Sequence, residues 1–303
     1  MFGDAGCKLG ARLKRRGGFT LVELLIAVST IAVLMGILLP ALSKARRQAC
    51  VLLGMNNQRQ IVSGVNNYAL DHDERYPEST ATITTWDTWH WQHPTMITAC
   101  QPRPSRTHRS MSAYLGSYIE DASVISCPSI PRKYRYLQQA WESGDDWDNP
   151  ETSFASDSLY GSYCFYWNYV GFMSDERPPF RGPQDSLGGR GSSKLLVSDY
   201  FGYDHHRSPK AYGSCQKFNG AAVTPETETS PSYWSRPDSD GIVGLDRLAV
   251  KLHAGYTDEH VESFTASEVV PMKVSTSSDG GAPYTSGVGL TPGDIFLPQN
   301  ALH

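Results

Sequence analysis

The chain is 303 residues long, with 40% apolar content and 19% charged residues, so it can bury a sizeable core, and its charge is low for a soluble cytoplasmic enzyme. The formal net charge of −4 is unevenly spread: the first eighteen residues hold Lys8, Arg12, Lys14, Arg15 and Arg16 against Asp4, and removing their net +4 leaves −8. That balance argues against a broad basic face gripping phosphate, and no nucleic-acid partner is expected.

The first element is apolar. From Phe19 to Leu42 the only charge is Glu23, and 24 residues at about 1.5 Å each make roughly 36 Å of helix, enough to cross a hydrocarbon core of about 30 Å. The small residues Gly17 and Gly18 precede the run, whereas an ordinary secretory leader has its small-residue cleavage site after it, so cleavage here leaves the helix on the mature chain. Lys8, Arg12, Lys14, Arg15 and Arg16 outnumber Lys44, Arg46 and Arg47 on the far side. The bias places the N-terminus in the cytoplasm and everything beyond about residue 43 outside. A plain signal anchor would explain length and flanks, but not a carboxylate inside the apolar run, which costs about 2 to 3 kcal/mol near a helix centre.

The segment Lys14 to Ala27, KRRGGFTLVELLIA, resembles the processing site of type IV prepilins and type II secretion G-like pseudopilins. The resemblance implies a leader over residues 1–18, cleavage by a prepilin peptidase between Gly18 and Phe19, and methylation of the new Phe19 amine. It also implies a transmembrane half of the N-terminal helix over 19–42, a helix-kinking role for Pro40, and assembly through Glu23, whose best partner is the Phe19 amine of its own or a neighbouring chain.

Helical character is expected to persist over residues 43–75. There is no proline from Ser43 to His72, and Ile61, Val65, Tyr68 and Ala69 recur on one face, which can pack on a sheet. Gly54, Gly64 and several asparagines dilute that stripe. The helix is expected to end between Asp71 and Tyr76, because Pro77 disfavours helix in the residue before it. Asn57, Arg59, Gln60 and Ile61, then Tyr68, Asp71, Asp73 and Tyr76-Pro77, resemble a pattern found in many pilin-like proteins with the same leader. Cys127-Pro128-Ser129, the Tyr160 to Tyr169 strand, Leu195-Leu196-Val197 ending in Asp199, and His253 to Phe264 resemble the same group. In the last of these the turn reads Asp258, Glu259, His260, Val261, with glutamate where glycine is usual, so a positive φ there is costly.

The head, residues 76–303, reads as strands in long loops. Tyr160 to Val170 and Lys194 to Val197 have strand composition, and Leu248 to Tyr256 with His260 to Phe264 form a hairpin pattern. Short helices fit Arg109 to Ile119 or Arg132 to Glu142, while Thr224 to Gly241 and Ser275 to Gly293 are loop-like. Outside the leader, which holds Cys7, there are five cysteines, allowing at most two intramolecular disulfides. The candidates are Cys100, Cys127, Cys164 and Cys215, with Cys50 left unpaired.

Sharper chemistry finds little support. Asp87, His90 and His93 would put the two histidines on opposite faces of a strand, and Trp86, Trp89 and Trp91 suit sheet packing as well as glycan stacking. Asp204-His205-His206 and the pair His253 and His260 lack the HExxH spacing of zinc hydrolases. Asp238, Asp240 and Asp279 are candidate calcium ligands by the resemblance, although neither loop fits an EF-hand. There is no GxSxG, P-loop or GxGxxG. The expectation is a non-enzymatic α+β pilin-like subunit, with one long N-terminal helix against an antiparallel sheet and no cofactor unless calcium. It is single-pass in the inner membrane with an extracytoplasmic head. Its partners are a prepilin peptidase, other pilin or pseudopilin subunits and the inner-membrane assembly machinery, and it enters a fibre when assembled. The alternative is a membrane-tethered glycan-binding or hydrolytic ectodomain carrying the same type of anchor.

Overall fold

A computed structural model describes residues 20–81, 89–91, 94–99, 109–128, 136–147, 159–173, 178–186, 192–204, 211–213, 224–225, 242–243, 251–273, 275–277 and 293–302. The chain divides into two units, Met1–Gln48 and Ala49–His303, and one helix, α1 (Leu21–Asp71), contributes to both.

In the first unit α1 starts on a capping box. Thr20 Oγ1 accepts from the Glu23 N–H (3.2 Å), and Glu23 Oε2 accepts from both the N–H and the hydroxyl of Thr20 (2.8 Å each), which satisfies donors that a helix start leaves open. From there the apolar side chains are solvent-facing all round, Leu21 at 82% and Ile37 at 70% exposure. The two hydroxyls in this stretch turn back onto the backbone, Ser29 Oγ donating to the Leu25 carbonyl (2.7 Å) and Thr30 Oγ1 to the Ala27 carbonyl (2.9 Å). Pro40 lies inside α1 without ending it; its missing N–H leaves the Gly36 carbonyl without its usual helical donor.

In the second unit the rest of α1 is one-sided. Gly54, Gln58, Ile61, Val62, Gly64, Val65 and Ala69 are buried, the spacing of one helix face. After α1 come β1 (Trp89–Trp91), β2 (Met96–Ala99), β3 (Arg109–Ser110), α2 (Met111–Leu115) and α3 (Leu137–Ser143). Then follow β4 (Leu159–Tyr160), β5 (Tyr163–Phe165), β6 (Val170–Met173), β7 (Phe180–Arg181), β8 (Leu195–Asp199), β9 (Phe201–Asp204) and β10 (Ala211–Gly213). The last are β11 (Thr224–Pro225), β12 (Ile242–Val243), β13 (Lys251–Tyr256), β14 (Val261–Thr265), β15 (Val269–Lys273), β16 (Ser275–Ser277) and β17 (Gly293–Pro298). All described pairings are antiparallel.

Two sheets carry the core: a four-stranded one in the order β14-β13-β8-β5, and a six-stranded one in the order β10-β9-β17-β15-β6-β7. The four-stranded sheet is covered on both faces. Tyr163 and Phe165 of β5 join Ile61, Val62 and Val65 of α1 in one cluster, while Cys164 joins Met272, Ile295 and Phe296 of the six-stranded sheet in another. This is the period of two expected of a strand, and double coverage explains why Leu195-Leu196-Val197 reads as a continuous apolar run. The register between β8 and β13 shifts at Gly255/Tyr256, a bulge at Leu196 that lets Leu196 and Val197 both join the cluster of α1.

Several expectations meet a different outcome. The Tyr160 to Val170 strand is broken into β4, β5 and β6; the break before β6 is a turn at Trp167 and Asn168 in which Asn168 takes φ 50, a conformation asparagine tolerates. Both short helical segments, offered as alternatives, are realised in part as α2 and α3. The segments expected as loops begin with β11 and β16. Cys164, a disulfide candidate, is a free thiol; its position on β5 turns it into the core between the sheets.

Candidate functional site

Gly18 and Phe19, the expected cleavage and methylation positions, lie outside the described residues, as do Cys100, Cys215 and the calcium candidates Asp238, Asp240 and Asp279. The side chains of Asp87, His90 and His93 are also outside them. Among the described residues no group of three or more His, Cys, Asp or Glu could hold a metal ion. Cys127 is disulfide-bonded, and Cys50 is free. Burial pushes the Cys164 thiol up to about 12, which keeps it protonated and inert.

The N-terminal site begins with the box at Thr20 and Glu23. The structure gives Glu23 an immediate task that the sequence reading did not assign: it closes the first turn of α1. The same carboxylate is the sole charge of the apolar run.

A second constellation lies in the core of the head. Register pairs Tyr163 with Asp199 across β5 and β8, and His253 of β13 faces Asp199 from the other side. The Asp199 carboxylate accepts from the His253 N–H and from His253 Nδ1, each at 2.9 Å, and from Gln58 Nε2 of α1 at 2.9 Å. A carboxylate can only accept, so the imidazole donates from Nδ1. Gln58 Nε2 also reaches the His253 carbonyl at 3.3 Å. Gln58 is 0%, Asp199 1% and His253 4% exposed, and both Gln58 Oε1 and His253 Nε2 are buried with no partner among the described residues. A carboxylate orienting an imidazole is half of a hydrolytic triad, but here the pair is sealed under α1 and has no route to a substrate. Its work is to tie the helix to the two central strands.

Glycines set the distance of that contact. A Cβ on Gly255 would come within 2.9 Å of Val62 Cγ2, and one on Gly64 within 2.8 Å of Ile119 Cγ1. Asn57, one residue from Gln58, donates to the carbonyls of Ser126 (3.1 Å) and Ser123 (3.4 Å). The motif segments at 57–61, 195–199 and 253–264 therefore converge physically. Gln58 itself was missed by sequence reasoning. The available signal was a long polar side chain on the apolar stripe, four residues after Gly54 and three before Ile61.

Against known proteins, the prokaryotic N-terminal methylation motif matches residues 13–39, the prepilin-type cleavage and methylation signal of pilins and pseudopilins. No curated protein and no solved structure matches the chain. The chain thus carries a prepilin-type signal whose apolar part lies in a helix long and apolar enough to cross a membrane, in an α+β pilin-like arrangement.

Proposed function

We propose that the chain is a non-catalytic structural subunit, a pseudopilin or minor pilin, of a type II secretion or type IV pilus-like fibre. Its N-terminus is cytoplasmic, α1 anchors it in the inner membrane through residues 19–42, and its head is extracytoplasmic. A prepilin peptidase cuts after Gly18 and methylates Phe19. The observation that carries this reading is that the methylation motif over residues 13–39 takes in nearly all of an apolar stretch whose large side chains are exposed. Such a surface has a favourable environment only in lipid or among similar helices. In a bundle of parallel apolar helices there is little to fix axial register, and a charge pair between Glu23 and the Phe19 amine of a neighbour supplies it. Mass spectrometry of the native N-terminus tests the proposal: a mature chain starting at N-methylated Phe19 is expected, with Gly18→Val retaining the leader. An intact leader on the wild-type protein in its own membrane overturns it.

A further inference from the structure

The end of α1 and the turn after it form a groove that neither the membrane segment nor the buried Asp199 row uses. Its volume is about 530 Å3, inside the roughly 300 to 1,000 Å3 of small-ligand sites. Tyr68, His72, Asp73, Arg75, Glu78 and Tyr114 supply most of its wall, so the Tyr-x-x-Asp-x-Asp-x-x-Tyr-Pro segment, left without a role by the fibre reading, is what shapes it.

The wall is held in place. Asp73 and Glu74 have φ of 52 and 63, left-handed backbone that costs a non-glycine residue about 1 to 2 kcal/mol. Bonds from Glu74 N–H to the Ala69 carbonyl (2.9 Å) and from Arg75 N–H to the His72 carbonyl (3.0 Å) keep that turn closed. The Tyr68 ring stacks on the His72 imidazole at 3.8 Å and 4°, and Tyr118 meets its edge at 5.9 Å. Tyr118 is anchored in turn by its hydroxyl, which donates to Asp71 Oδ2 at 2.8 Å.

The chemistry on offer is mixed. Asp73 and Glu78 present acceptors, Arg75 a planar set of donors, and the tyrosines ring surface with a hydroxyl at the tip. Asp73 and Arg75 are exposed, and neither makes an ion pair among the described residues. Carboxylates outnumber the guanidinium, which disfavours an acidic ligand, and Arg75 on the same wall disfavours a simple cation. A sugar ring has hydroxyls that both donate and accept and a C–H face that lies on aromatic rings, so it can use every one of these groups. We infer that this groove binds a neutral saccharide. The inference goes beyond the fibre reading and does not need it.

The test is calorimetric titration of the full chain in detergent micelles with cellotetraose, maltotetraose and chitotetraose, and with tetralysine as a cationic probe. Binding of at least one oligosaccharide with a Kd on the order of 1 mM or tighter is expected, weakened about tenfold or more by Asp73→Asn, by Arg75→Gln and by Tyr114→Ala. The first two keep the fold in hand, since both residues are exposed and asparagine accepts the left-handed backbone at 73. Absence of binding by all three oligosaccharides, binding that none of the variants weakens, or tetralysine binding in place of the sugars overturns the inference. Because the readout is binding by the isolated chain, failure to form fibres does not affect it.

Discussion

One helix serves two environments. Along Leu21–Ala49 every side chain of α1 is exposed, whereas along the C-terminal stretch one face is buried, with Ile61, Val62, Val65 and Ala69 at 0%. Up to Leu42 the first stretch is apolar on all sides, and Glu23 is its sole charge. The second is amphipathic and is tied down by the buried amide of Gln58, with Asn57 and Asn66 bonding to the head on either side of it. Uniform apolarity suits a uniform solvent and leaves axial position free, while a notched face with a few polar contacts specifies a single position. The second half is therefore fixed on its own head, while the first carries no such contact to its own chain.

The largest way to break this contrast is at Glu23, where the expected effect is all or none. Glu23→Ala should insert in the membrane and fold its head as wild type does, yet fail to co-assemble with it. Glu23→Gln separates the two roles, because glutamine completes a capping box as glutamate does but has no charge. Loss of co-assembly in both variants, scored beside membrane insertion, identifies register pairing as the essential role. Rescue by glutamine assigns it to the cap, which is worth only about 1 kcal/mol.

In the locked half, Asp199→Ala should lower the stability of the head by about 3 to 5 kcal/mol, since it strips the acceptor from several buried donors at once. Urea unfolding followed by near-UV circular dichroism measures it. A loss under about 1 kcal/mol would show that apolar packing alone holds α1 on the sheet.

The same substitution in the two halves sharpens the contrast further. Alanine is a better helix former than glycine by about 1 kcal/mol. At Gly36 an added Cβ meets nothing within 4 Å, so Gly36→Ala should be tolerated without loss of folding. At Gly64 it meets Ile119 Cγ1 at 2.8 Å and Cδ1 at 3.0 Å, and Gly64→Ala should destabilise by about 1 to 2 kcal/mol as the buried isoleucine is displaced. Equal thermal melts for the two variants would refute the difference between the halves.

The smallest expected effect is at the hairpin of β13 and β14, where Glu259 holds φ 67. Among the described residues its side chain accepts only a long 3.4 Å contact from Asn66 Nδ2, so Glu259→Gly should stabilise by up to about 1 kcal/mol through relief of left-handed strain. A lower melting temperature would mean that the contact to α1 outweighs the strain.

How much of this was legible depends on how far apart the deciding residues lie. The signal at 14–27 and the membrane-length run are written in contiguous residues, since a peptidase site and a solvent preference each act within a few positions. The β13 and β14 hairpin and the costly Glu259 turn were legible for the same reason. Helix α1 ends at Asp71, inside the expected range, but through left-handed backbone at Asp73 and Glu74 and not through the restriction Pro77 places on Tyr76. The helix cap at Thr20 and Glu23 was equally local, but the rarity of a charge in an apolar run drew the reading toward pairing with a neighbour and away from the cap. The Cys164 expectation failed because a cysteine's state depends on which sheet face it occupies, and that follows from strand register.

The amino-acid sequence by itself determined the processing signal, the extent of the apolar helix and the amphipathic stripe that follows it, because those rest on side-chain solvation and short-range sterics. Only the tertiary structure decided that Gln58 meets Asp199 across 141 positions and Asp199 meets His253 across 54, and that Tyr68, Asp73, Arg75 and Tyr114 wall one groove. Such meetings depend on sheet order, on a bulge at Leu196 and on glycine notches that set how closely a helix approaches. Local propensity carries no record of them, since each residue would fit many other partners equally well.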